Sequence, residues 1–403
     1  MPSNRGNTVG ARRETKSRTR HRATTLQEHQ VDFTNQCIMC KSPLQCSVGR
    51  PLPCSPACRE KLIETRPLET RLKPLLRYPS TLDFLLGCVS AAACNLNEEV
   101  KKILRLRVQE QPESCLPDGF PIHIDIVPAV VDSFPQVLPA TTAEELIGTG
   151  TYRAERESLL SWLCTSFEGT LIPAPEETLI KEMPGETQFI LLNTKIDRQR
   201  IFEGNIKARG ISSGAAGFHG TPPMLLLSIL HSGLKQSMHE DGKVWVAADP
   251  VYSIKYTMKC GQTLSRFRGW KNSAFRNHSV LFGVEVATRA NPFSVSITSR
   301  QQDSVMVRYV FLIPGVAIWY QRGFLRDMKG IPHGDQVRPL MKKTFGRIHT
   351  RNITAYKSVY YQGLKSASEI LEEEFPPNHS DDQTDIDSHD SKRPQRGGRK
   401  EGI

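Results

Sequence analysis

The chain has 403 residues, 38% of them hydrophobic, and a net charge of +11, which leaves room for about two or three domains and a sizeable core. No apolar run is long enough to span a bilayer, the nearest being the short Ala/Gly/Ser-rich stretch 84–94, and no apolar signal core follows the basic N-terminus. These features exclude a membrane span and point to an intracellular protein, nuclear or cytoplasmic.

The charge is uneven. Residues 1–25 hold seven Lys or Arg against Glu14 alone, so residues 1–30 read as a disordered basic arm that could attract nucleic acid or direct nuclear import. Next comes a cysteine-rich segment over residues 31–60, with five of the ten cysteines between Cys37 and Cys58. Without a secretory signal, thiols or metal ligands are favoured over disulfides. Cys37 and Cys40 are spaced CxxC, and Cys54 and Cys58 follow after thirteen intervening residues as CxxxC. Each pair can supply half of a tetrahedral thiolate set, so one zinc ion on Cys37, Cys40, Cys54 and Cys58 is expected. Four protein ligands leave no open position, so its role would be structural. A redox CxxC is the weaker alternative, because no thioredoxin-like strand and helix surround Cys37.

Residues 61–185 read as mostly helical, with helical apolar spacing in Thr81–Ala93 and Ala143–Phe167 around a proline-rich interruption at 116–139. Strand character begins at Thr187–Leu192 and returns at Val244–Ala247, Val280–Val286, Ser294–Thr298 and Val305–Ile313. Strands outnumber helices there and are joined by variable loops, which predicts an α+β fold with a split, largely antiparallel sheet. Residues 321–375 read as a C-terminal extension, basic and irregular at first and helical over Tyr356–Glu374. Residues 376–403, acidic and then basic, read as a disordered tail.

Two blocks carry chemistry. Gly217-Phe-His-Gly-Thr221 precedes a helix-like run, Met224 to Leu230, that stops at Ser232-Gly233-Leu234. The block from Lys243 to Tyr256 reads as a short strand turning into a helix, with Asp249 as N-cap and Pro250 in the first turn. Ser253 and Tyr256 share a face of that helix. Together these blocks resemble the catalytic core of the poly(ADP-ribose) polymerase-like ADP-ribosyltransferases, over about residues 186–320.

The resemblance implies a split antiparallel-sheet transferase core, preceded by a mostly helical region and a small zinc-binding segment, with NAD as the substrate. By the family pattern, His219 would hydrogen-bond a ribose hydroxyl and Gly220 would present its backbone to the nicotinamide carboxamide. Ser253 would bond that carboxamide and Tyr256 would stack on the ring. Trp245 stands where the family usually has a tyrosine. The family's late-strand glutamate maps, counting back from Tyr309, to Ser296, and no glutamate occurs between Ala287 and Leu312. The implied catalytic set is His219, Trp245 and Ser296, and the implied activity is mono- rather than poly-ADP-ribosylation of a protein side chain or nucleic-acid end. A catalytically inactive NAD- or ADP-ribose-binding module is the alternative. A tRNA 2'-phosphotransferase-like enzyme, with its HGT-like segment, is a second, against which stands the lack of suitably placed arginines.

Overall fold

A computed structural model of the chain describes residues 37, 39–40, 42–44, 53–93, 115–235, 244–263, 270–288, 298–300, 302–314 and 330–349. The basic arm, Cys46, Ser296, the expected helix at Tyr356–Glu374 and the tail lie outside them. Helices come first: α1 Pro56–Thr65, α2 Leu68–Leu76, α3 Pro79–Ala92, α4 Val127–Asp132, α5 Ala143–Ile147 and α6 Arg153–Thr165. Their starts are chemically marked. Ser55 accepts a hydrogen bond from the Cys58 N–H at the head of α1, and Thr142 with Glu145 closes a reciprocal capping box on α5.

The sheet half contains β1 Thr170–Pro173, β2 Gln188–Asn193, α7 Ile196–Ala208, β3 Ala215–Gly220, α8 Leu226–Ser232, β4 Val244–Val246, α9 Pro250–Thr263, β5 His278–Val286, β6 Thr298–Arg300, β7 Val305–Pro314 and α10 Gly334–His349. Five strands form an antiparallel sheet in the order β1-β2-β7-β5-β3, and β4 pairs with β6 in a second, two-stranded sheet. Among the described residues the two pieces are joined by a backbone bridge, where Phe218 and Ala247 exchange hydrogen bonds of 2.9 Å each way. The fold is α+β with its antiparallel sheet in two parts, as expected.

Side-chain alternation shows why the five-stranded sheet is stable. Phe189 and Leu191 of β2, with Val310 and Leu312 of β7, join one apolar cluster with Leu82, Phe84 and Leu86 of α3. Phe84 stacks on Phe189 at 5.3 Å between ring centres. Ile190 and Leu192, with Tyr309, Phe311 and Ile313, face the other way into a cluster with Val337, Met341, Phe345 and Ile348 of α10. Burial on both faces requires apolar residues at consecutive positions, which is why β7 reads as an apolar run interrupted only by Arg308. Gly283 in β5 leaves room for the second layer: a Cβ there would lie 2.9 Å from the Tyr309 Cβ and 2.5 Å from the Met341 terminal methyl.

Several elements depart from the sequence reading. β1 falls inside the stretch read as helical; its Leu171 and Ile172 become strand because β2 offers an unpaired edge. β3, read as a small-residue clamp, is a strand despite its Ala-Ala-Gly start, because β5 pairs with it from Ala215 to Gly220. α7 was not anticipated, and α10 replaces the irregular chain expected beyond Gln321. Pro339 and the basic residues of α10 mask an apolar stripe, Val337, Met341, Phe345 and Ile348, that packs on the sheet. Among the described residues, no helix is long and apolar enough to cross a membrane.

Candidate functional site

The cysteine pairs meet. The Sγ atoms of Cys37, Cys40, Cys54 and Cys58 all lie within 4.8 Å of one another. Cys40 and Cys54 are 3.5 Å apart and Cys54 and Cys58 3.7 Å. A zinc–sulfur distance of about 2.3 Å puts tetrahedral sulfurs about 3.8 Å apart, so these separations suit four thiolates around one ion. The surroundings also suit thiolates: Met39 and Cys54 donate backbone N–H groups to Cys37 Sγ at 3.4 and 3.3 Å, and Cys58 sits in the first turn of α1, where the helix dipole favours negative charge. Hydrogen bonds from Ser42 bring the Cys40 thiol down to about 6, whereas sharing a proton with Cys40 pushes Cys54 up to about 12. Four adjacent sulfurs cannot all ionise unless a cation neutralises them. The cluster can hold a metal ion, and its donor set is compatible with zinc.

The second site is built where the two sheets part. Beyond the Phe218–Ala247 bridge, β3 and β4 are linked by a side chain: His219 Nδ1 lies 2.8 Å from the Trp245 carbonyl oxygen. A carbonyl only accepts, so Nδ1 carries the proton, and in the neutral imidazole Nε2 is the acceptor. His219 is buried, while the Trp245 side chain is 40% exposed between buried Val244 and Val246.

α9 closes the third side. Asp249 caps it, its Oδ1 accepting from the Val251 N–H at 2.9 Å, and Oδ2 accepts from Gly334 N–H at 3.3 Å at the head of α10. Ser253 is buried and donates its hydroxyl to the Phe218 carbonyl at 2.9 Å. Its oxygen keeps acceptor capacity. Tyr256 is 43% exposed. A Cβ on Gly220 would lie 1.7 Å from the Ser253 carbonyl oxygen and 3.2 Å from the Tyr256 Cβ. Glycine at 220 is therefore required by the approach of α9 to β3, a reason independent of any ligand. β3, β4 and α9 thus bring His219, Gly220, Trp245, Ser253 and Tyr256 together. Tyr252, also exposed, instead lies under Lys255, whose Nζ is 4.9 Å from its ring centre.

A buried charge network escaped the sequence reading. Glu285 on β5 and Arg308 on β7 are wholly buried and paired at 2.9 Å. Glu285 also meets His349 Nε2 at 2.8 Å and accepts from the Gly214 N–H at 2.7 Å. Arg308 bonds the Leu192 carbonyl at 3.2 Å and lies over the Phe202 ring. Burial alone would raise the Glu285 pKa; Arg308, His349 and the Gly214 amide outweigh it and hold the carboxyl at about 2. A detectable signal existed: one acidic and one basic residue, each inside an otherwise apolar strand.

No model of a known protein family matches the chain, and no curated protein matches it in sequence.

Proposed function

We propose that the chain is an NAD-dependent mono-ADP-ribosyltransferase that releases nicotinamide and passes ADP-ribose to a protein side chain or nucleic-acid end. The observation that carries this reading is the convergence of β3, β4 and α9 on His219, Gly220, Trp245, Ser253 and Tyr256, the residues that resemble the family's NAD contacts. His219 Nε2 would accept from a ribose hydroxyl. Ser253, whose proton is committed to the Phe218 carbonyl, would accept from the carboxamide N–H. The exposed rings of Tyr256 and Trp245 would wall the nicotinamide, where a stacked cationic ring gains the most from an aromatic face. Zinc on the four cysteines would be structural.

Transfer is expected to stop at one ADP-ribose unit, because Ser296, aligned with the family's elongating glutamate, has no negative charge with which to activate an acceptor hydroxyl. Nicotinamide release from NAD by the purified chain tests the proposal, with a His219→Ala control and gel analysis of labelled products. Release abolished in the control, with short products in the wild type, supports it. Release unchanged by His219→Ala sinks it, and long ladders refute the single-unit assignment. A non-catalytic NAD-binding module is the second reading, favoured by Trp245, which supplies a ring but no phenolic hydroxyl. NAD binding without nicotinamide release would select it.

A further inference from the structure

A cavity of about 640 Å³ lies between the helical half and the sheet half, and it shares no lining residue with the His219 group. Its volume suits a small molecule. Arg59 of α1, Lys195 just ahead of α7 and Lys235 after α8 line it, together with His231, Trp162 and Asp118. The other two charged lining residues are already engaged. Arg198 is bonded to Asp303 and to the Leu234 and Gln302 carbonyls, and Glu168 accepts from the Ile196 N–H at 2.9 Å. Arg59, Lys195 and Lys235 therefore outnumber the carboxylates Asp118 and Glu168 around the cavity, and among the described residues none of the three takes part in an ion pair.

Like charges gathered around one cavity repel one another and detract from stability, so their presence calls for a compensating anion. Two further observations agree. The Nε of Arg59 is buried with no hydrogen-bond partner among the described residues. His231 feels the same field: burial first, then Lys195, Lys235 and Arg59, hold it at about 4, so its ring is neutral at pH 7. Its Nδ1 accepts from the Glu168 N–H at 3.2 Å, which leaves Nε2–H as a donor.

We propose that this cavity is a second ligand site, for a small molecule bearing a diphosphate group, held by Arg59, Lys195 and Lys235. A guanidinium matches phosphate oxygens in a two-bond fork, and two ammonium groups supply point charges that adapt to a second phosphate. The site does not depend on the proposed transferase reading, since none of its residues belongs to the NAD group.

Calorimetric titration of the full chain with inorganic pyrophosphate, at low salt, tests it. Lys195 and Lys235 are exposed, so Lys195→Ala/Lys235→Ala should melt as the wild type does. Binding should weaken at least about tenfold in that variant and in Arg59→Ala, return in Lys195→Arg/Lys235→Arg, and persist in Tyr256→Ala. ADP, titrated into Tyr256→Ala, separates the two sources of a diphosphate. Affinity equal to that of pyrophosphate assigns the site to the diphosphate alone, and tighter binding adds recognition of the nucleoside. No pyrophosphate binding, or binding unchanged by Lys195→Ala/Lys235→Ala, would overturn the proposal.

Discussion

The cysteine segment and the five-stranded sheet are ordered by opposite means. Around Cys37, Cys40, Cys54 and Cys58 little is buried: Cys37 is enclosed, whereas Cys40 and Cys54 are exposed, and four sulfurs are left to define the geometry. The sheet has apolar layers on both faces, from α3 on one side and α10 on the other, and it even encloses an ion pair. A segment so thin would gain its order from an ion held by the four sulfurs, while the sheet gains it from area removed from water. The first should fail when its ligand is lost, and the second when its packing or buried charge balance is broken.

The largest effect should come from the metal. One zinc per chain is expected by elemental analysis, and because structural zinc contributes on the order of 10 kcal/mol to such segments, chelation or Cys54→Ser should unfold the region around α1. Cys46→Ser should leave the zinc content unchanged. Stoichiometric zinc retained in Cys54→Ser would show that the four sulfurs are not the ligand set.

The sheet should break at its charges before its apolar layers. Arg308→Leu strands Glu285 in the core and should cost roughly 3–5 kcal/mol in denaturant unfolding, whereas the double change Arg308→Leu/Glu285→Leu should cost much less. The pH dependence has a definite sign. Glu285 titrates at about 2, below its ordinary value of 4.5, so its contribution is complete above 4.5 and fades as pH falls toward 2. Glu285→Gln should flatten stability over that acid window. An unchanged acid limb would mean that other carboxylates dominate it.

Where β3 meets α9, the comparison becomes finer. Gly220→Ala places a methyl against the Ser253 carbonyl and should cost about 1–3 kcal/mol by pushing the helix away, a cost that overpacking imposes with or without a ligand. A melting temperature equal to that of the wild type would show that β3 and α9 have room to separate. Smaller still, Tyr256→Ala should weaken NAD binding by roughly 1–3 kcal/mol if the ring stacks on nicotinamide, and Tyr252→Ala by much less. Equal losses by calorimetry would place the ligand on a different helix face.

Local chemistry was legible wherever a short stretch of chain determines it. The paired cysteine spacing was sufficient to predict the cluster, because tight turns bring neighbouring sulfurs together whatever surrounds them. Asp249 before Pro250 announced α9, and Gly233, with its positive φ of 79°, closed α8 as its sequence implied. Strand runs at β2, β5 and β7 declared themselves through apolar content alone. What could not be read were elements whose state depends on a distant partner. β1 needs the edge of β2, and β3 needs β5 to make a strand of alanine and glycine. α10 needs the groove above Gly283 to give its interrupted stripe a place to pack. The pairing of Glu285 with Arg308 and His349, the reason for glycine at 220, and the gathering of Arg59, Lys195 and Lys235 around one cavity were likewise decided only by tertiary structure. Residues far apart in sequence become neighbours only when the layers close, and burial then sets the energy of each contact.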